Sequence, residues 1–149
     1  MMTSYKVFLI LALLVSCGVV DNDEQLTQQE TELLYIDYLG IVSVDGGNAA
    51  SFSLVNDSTD AIQFFGYSES FPLYNAETLS DTGWTNMMWG WCGTGAEFQV
   101  LEPDSSIHFL TVLPNSSVTW RLVLDISDMD SVHPRRLRSE NINYTSPQN

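Results

Sequence analysis

Two hydrophobic textures divide this chain. Residues 7–15 form an unbroken apolar run, Val7-Phe8-Leu9-Ile10-Leu11-Ala12-Leu13-Leu14-Val15, whereas from residue 33 onward apolar positions come in short segments cut by Gly, Pro, Asn, Asp and Ser. Alternation with a period of two places every second side chain on one face of a strand, as a half-buried sheet requires. This pattern predicts strands over 34–44, 50–55, 61–67, 85–92, 97–101, 106–113 and 118–126. Phe52 and Leu54 share a face in the second, Ile62 and Phe64 in the third, and Trp120, Leu122, Leu124 and Ile126 in the last, with Arg121 on the opposite side. Asp45-Gly46-Gly47 and Asn56-Asp57-Ser58 supply turn chemistry between them. Short strands at a spacing of roughly 8–12 residues predict an all-β domain folded as a two-sheet β-sandwich, here over residues 33–145, with a frayed tail at 146–149.

The first apolar run is too short for a spanning helix, which needs ~20 residues, but suits the ~7–15-residue core of a signal peptide. Lys6 precedes it, and Ser16 and Cys17 follow it. Leu14-Val15-Ser16-Cys17 resembles the lipobox of bacterial lipoproteins, in which a small residue precedes a cysteine that becomes the acylated N-terminus after cleavage. The resemblance implies a signal peptide over 1–16, lipidation at Cys17 and attachment to a membrane of the cell envelope. Gly18 stands where an aspartate would signal inner-membrane retention, which favours the outer membrane. An ordinary secretory signal is the alternative, giving a secreted glycoprotein without a lipid anchor. Three sequons suit that alternative: Asn56-Asp57-Ser58, Asn115-Ser116-Ser117 and Asn143-Tyr144-Thr145. All three are expected in exposed turns.

Residues 18–31 read GVVDNDEQLTQQET, rich in acids and amides. Such a stretch buries too little apolar surface to offset the entropy of ordering, so residues 17–32 are expected to form a lipidated, flexible acidic tether. A short helix over 24–34 is the alternative, since Glu and Gln tolerate helix.

The chain carries a net charge of −14 at pH 7, and removal of Lys6 with the signal peptide makes it one unit more negative. A surface this acidic argues against nucleic acid as a partner and against adhesion of the protein face to anionic headgroups. Acyl chains on Cys17 would hold the membrane instead, with an envelope protein or a glycan as the further partner. With Cys17 acylated, Cys92 has no internal disulfide partner.

The segment 83–95, GWTNMMWGWCGTG, concentrates the aromatic content. Together with the Asn56 turn, Phe65-Gly66-Tyr67-Ser68, Glu102-Pro103-Asp104-Ser105-Ser106 and Trp120-Arg121, it resembles an uncharacterised immunoglobulin-like domain of bacterial envelope proteins. The resemblance implies an immunoglobulin-like sandwich and no activity. Trp84, Trp89 and Trp91 with Tyr67, Phe71 and Tyr74 offer flat rings for stacking on sugar, and the competing reading places these rings in the core or its rim.

Catalysis by Cys92, beside Gly93-Thr94-Gly95 and with His108 as base, would need a positioned base and an orienting group. A buried apolar thiol is the simpler reading, and the chain is not expected to be an enzyme. His108 and His133 lack metal-ligand spacing, so no zinc site and no cofactor are expected. Asp125, Asp128 and Asp130 are candidate calcium ligands, as are Asp21, Asn22, Asp23 and Glu24, but neither group has the spacing of an EF-hand. Arg135, Arg136 and Arg138 form a basic strip that either docks an acidic partner or pairs with the protein's own acids.

Overall fold

The computed structural model describes residues 33–87, 93–131 and 133–147; the signal segment, Cys17, the tether, Trp89, Trp91 and Cys92 lie outside them. Among the described residues eleven strands follow in order: β1 (Leu34–Val44), β2 (Gly47–Asn56), β3 (Ile62–Ser68), β4 (Phe71–Pro72), β5 (Tyr74–Ser80), β6 (Gly83–Met87), β7 (Glu97–Leu101), β8 (Ser105–Val112), β9 (Val118–Asp128), β10 (Arg135–Arg138) and β11 (Ile142–Tyr144). They form two sheets packed face to face, so the all-β sandwich read from the sequence is the fold.

The smaller sheet has the order β1-β2-β8, and every pairing in it is antiparallel. Asp45 and Gly46 close the first hairpin, between the paired Val44 and Gly47, and Gly46 supplies the positive φ of 93°. In the larger sheet β9 is the spine. Its residues 123–126 pair with β10, and 118 to 120 with β11, along one side. Its other side pairs with β5 at 120–124 and then with β3 at 126–128. β3 and β5 therefore lie end to end, and so do their outer neighbours β7 and β6.

Between β3 and β5 the chain leaves the ladder as a small hairpin whose return arm is β4. Gly66 is required there, because a Cβ would lie 2.8 Å from the Phe71 carbonyl oxygen and 3.1 Å from Pro72 Cα. Between β10 and β11 the Leu122 backbone loses its strand partner, and Ser139 replaces it. Ser139 Oγ accepts from Leu122 N at 2.9 Å, and Ser139 N donates to Leu122 O at 3.0 Å. This substitution keeps a buried peptide group satisfied where the ladder is interrupted.

The core is built from the inward parity of each strand: Leu34 and Ile36, Phe52 and Leu54, Ile62 and Phe64, Phe109, and Trp120, Leu122, Leu124 and Ile126. Trp120 and Phe52 meet edge to face at 5.8 Å, and Phe52 stacks on Phe109 at 6.0 Å. Tyr74 is buried, and its hydroxyl accepts a hydrogen bond from Val112 N at 3.0 Å, tying β5 of one sheet to β8 of the other. Burial raises the pKa of this phenol.

Several boundaries differ from the sequence expectation. β4, β5, β10 and β11 were not foreseen, and the strand expected over 85–92 begins earlier, at Gly83. The tail is held further than expected: Ser146 N donates to Ser117 Oγ at 3.0 Å.

Candidate functional site

The two outer faces of the sandwich differ in chemistry. On the half of the larger sheet formed by β5, β6 and β9, Glu77 sits opposite Arg121 in register, and Arg138 of β10 reaches the same carboxylate. The Arg121 ion pair is 2.6 Å and that of Arg138 is 3.2 Å. Burial raises the Glu77 pKa, but hydrogen bonds from Arg138 and Arg121 outweigh it and leave the carboxyl below its ordinary range. Trp84 lies across the cluster with the Arg121 guanidinium 3.9 Å from its ring centroid.

The basic strip is thus folded back on the protein's own acids. Arg135 faces Asp128 at 3.4 Å, Arg136 faces Asp125 at 3.6 Å, and Arg138 faces Glu77. Alternation along β10 points Leu137 inward between its exposed neighbours, making this a short amphipathic strand.

The aromatic candidates separate. One face of Trp84 is occupied by Arg121. Tyr67 is half-buried with its ring 5.7 Å from that of Phe71. Tyr74 belongs to the core, because on β5 it shares the inward face with Ala76. Trp89 and Trp91 are outside the described residues. Among the described residues the ring most open to solvent is one not named from sequence, Phe98 on β7, 66% exposed; the candidate Phe71 is also exposed, at 42%, as is Phe65 on β3, the register partner of Phe98, at 36%. Phe65 and Phe98 meet edge to face at 5.3 Å. Phe98 and Val100 occupy alternate positions of β7, and only pairing with β3 reveals that theirs is the outer face.

The smaller sheet presents a second apolar surface. Val42 and Val112 flank Ala49 in one row across the three strands, with Leu110 in the adjacent row beside the bulge at Leu39. Leu39, Val42, Leu110 and Val112 are all exposed. Residues 41–48, the distal part of the β1–β2 hairpin, are exposed throughout.

Other candidates resolve locally. Asn56 is fully buried rather than in an exposed turn. Its amide donates to the carbonyls of Asp60 at 2.9 Å, Leu101 at 3.2 Å and Glu102 at 3.1 Å, while its Oδ1 accepts from Ser58 N and Oγ. That amide fastens the β2–β3 turn to the end of β7 and has no access for a glycan. Asn115 and Asn143 are exposed, the latter in β11 and accepting from Thr119 Oγ1 at 2.8 Å. Asp125 and Asp128 are engaged by different arginines, and no group of three or more His, Cys, Asp or Glu able to hold a metal occurs among the described residues. His108 is exposed on β8, where it pairs with Ser53.

Two adjoining clefts open at the pole where the chain enters β1. One, of about 380 Å³, is bordered by Leu33, Asp60, Asp128, Asp130 and Arg135. The second, of about 340 Å³, lies on the outer face of the larger sheet between Gln63, Phe98, Ser127 and Pro134, with Met129 and Asp130 shared by both. Comparison with known proteins adds no assignment: no family model matches the chain, and no curated protein and no solved structure matches it.

Proposed function

We propose that this protein is a lipoprotein of the bacterial cell envelope, anchored through acyl chains on Cys17, whose immunoglobulin-like sandwich is a binding and interaction module. The observation that carries the interaction reading is the apolar surface held in solvent on both outer faces: Phe65, Phe98 and Val100 on one, Leu39, Val42, Leu110 and Val112 on the other. Contiguous exposed apolar surface of this kind marks binding sites more often than it decorates an inert domain. The antiparallel three-stranded sheet has the strand number of the smaller sheet of a constant-type immunoglobulin sandwich, which supports the finer fold reading, whereas the eight-stranded sheet exceeds the four strands of the other.

The anchor reading rests on Leu14-Val15-Ser16-Cys17 directly after an apolar run of signal-peptide length. A diacylated or triacylated cysteine exceeds the single chain that gives only marginal binding. A tether over residues 18–32 would reach at most about 50 Å at full extension, enough for the sandwich to stand clear of the headgroups. Detergent phase partition of the native protein beside Cys17→Ala tests this. The wild type is expected in the detergent phase and the variant in the aqueous phase; identical partition of both contradicts the anchor.

A further inference from the structure

The cleft of about 340 Å³ on the outer face of the larger sheet has the chemistry of a ligand site. Its floor is formed by Gln63 and Ser127, register partners on β3 and β9. Ser127 is 7% exposed as a residue, its hydroxyl is not one of the buried unpartnered groups of the described residues, and Gln63 is half-buried. Both side chains line an open cleft, where a hydroxyl and an amide can each donate to and accept from a ligand. Phe98 walls the same cleft, 66% exposed, with its ring centroid 5.3 Å from that of Phe65. Met129, Asp130, Ser131 and Pro134 complete the lining.

We propose that this cleft binds a neutral saccharide. The proposal rests on reading the domain as a binding module and is independent of the anchor. An exposed ring packed against a second ring offers apolar surface to the C–H side of a pyranose. The Gln63 amide both donates and accepts, the Ser127 hydroxyl does the same, and the Asp130 carboxylate accepts, which together meet the mixed demands of vicinal sugar hydroxyls. A wholly apolar ligand would instead seal Gln63 and Ser127 without partners. Anionic ligands are disfavoured by Asp60, Asp128 and Asp130 around the adjoining cleft, where Arg135 is already engaged by Asp128. The volume lies at the small end of the ~300–1,000 Å³ range of ligand pockets and suits a ring-sized group better than a protein surface.

The test is binding of the purified, detergent-solubilised mature protein to neutral cello-, xylo-, manno-, malto- and N-acetylchito-oligosaccharides, with polygalacturonate and heparin as anionic comparators. Saturable binding to at least one neutral series is expected, with none to the two polyanions. Phe98→Ala and Gln63→Ala should each weaken it at least tenfold while leaving the melting temperature within a few degrees of wild type, since both side chains lie at the surface. Wild-type protein that binds no neutral series overturns the proposal, and the anchored-module reading then still stands or falls on the partition of Cys17→Ala. Binding that survives Phe98→Ala and Gln63→Ala, or that is lost only in Trp84→Ala, overturns the placement in this cleft. Preferential binding to the polyanions overturns the ligand class.

Discussion

At the scale of single residues, positions that look interchangeable on paper carry unequal weight. Asn56 reads as one of three sequons, yet its buried amide bonds the carbonyls of Asp60, Leu101 and Glu102. Asn56→Ala should lower the unfolding free energy by about 1–3 kcal/mol, because buried carbonyls lose their donor, and chemical denaturation would measure it. A loss within error of zero would mean that water replaces the amide. Gly66 is a second such position: its close approach to the backbone of Phe71 and Pro72 leaves no room for a methyl group. Gly66→Ala should cost about 1–3 kcal/mol, as overpacking does, and should loosen the β3–β4 hairpin in amide exchange before the rest of the sheet. Phe98 illustrates the limit of sequence at this scale. In Glu97-Phe98-Gln99-Val100-Leu101, apolar residues fall on both parities, so the side facing solvent is decided by pairing with Phe65 and not by composition. Tyr74 shows the converse: an aromatic that suited an exposed platform is buried because the strand carrying it was not recognised.

At the scale of elements, the strands that sequence revealed are those bounded by turn chemistry. The expectations over 34–44 and 97–101 match β1 and β7 at both ends, the first closed by Asp45-Gly46 and the second by Pro103 and Asp104. β5 was invisible because its inward residues after Tyr74 are the small Ala76 and the polar Thr78, which leaves no apolar alternation, and its strand state comes from pairing with β9 and β6. β10 was hidden behind its arginines for the same reason: its single core contribution is Leu137. The ion pairs that join β5, β9 and β10 give these weak strands a pH signature. The Glu77 carboxyl titrates below its ordinary range in the folded protein, so its contribution is present above the unfolded pKa and is lost as pH falls through the depressed folded value. Glu77→Gln should therefore destabilise the protein near neutrality by about 1–3 kcal/mol, as loss of charged hydrogen bonds does, and flatten the fall in stability below about pH 4. Equal slopes for variant and wild type in denaturation across pH 2–6 would show that Glu77 is not the responsible acid.

At the scale of the whole molecule, the sandwich divides its labour between interior and exterior. Trp120 near the start of β9 meets Phe52 of the opposite sheet, and Trp120→Ala is expected to cost about 3–5 kcal/mol by leaving a cavity at the junction of the two sheets. A thermal melt indistinguishable from wild type would contradict that placement. Outside this core, the larger sheet commits one half of its face to the Glu77 ion pairs and leaves the other half, around Phe98, open. The two poles differ as well. The chain enters β1 beside the paired clefts, while the exposed end of the β1–β2 hairpin lies at the far end of an 11-residue strand. Anchoring at Cys17 would tether the molecule from the cleft pole and direct the hairpin away from the membrane. The measurement that tests the central claim most directly is the intact mass of the protein purified from its native membrane. The account predicts a polypeptide beginning at Cys17 with the added mass of two or three acyl chains. A chain beginning at any other residue, or Cys17 present without acyl mass, would contradict it.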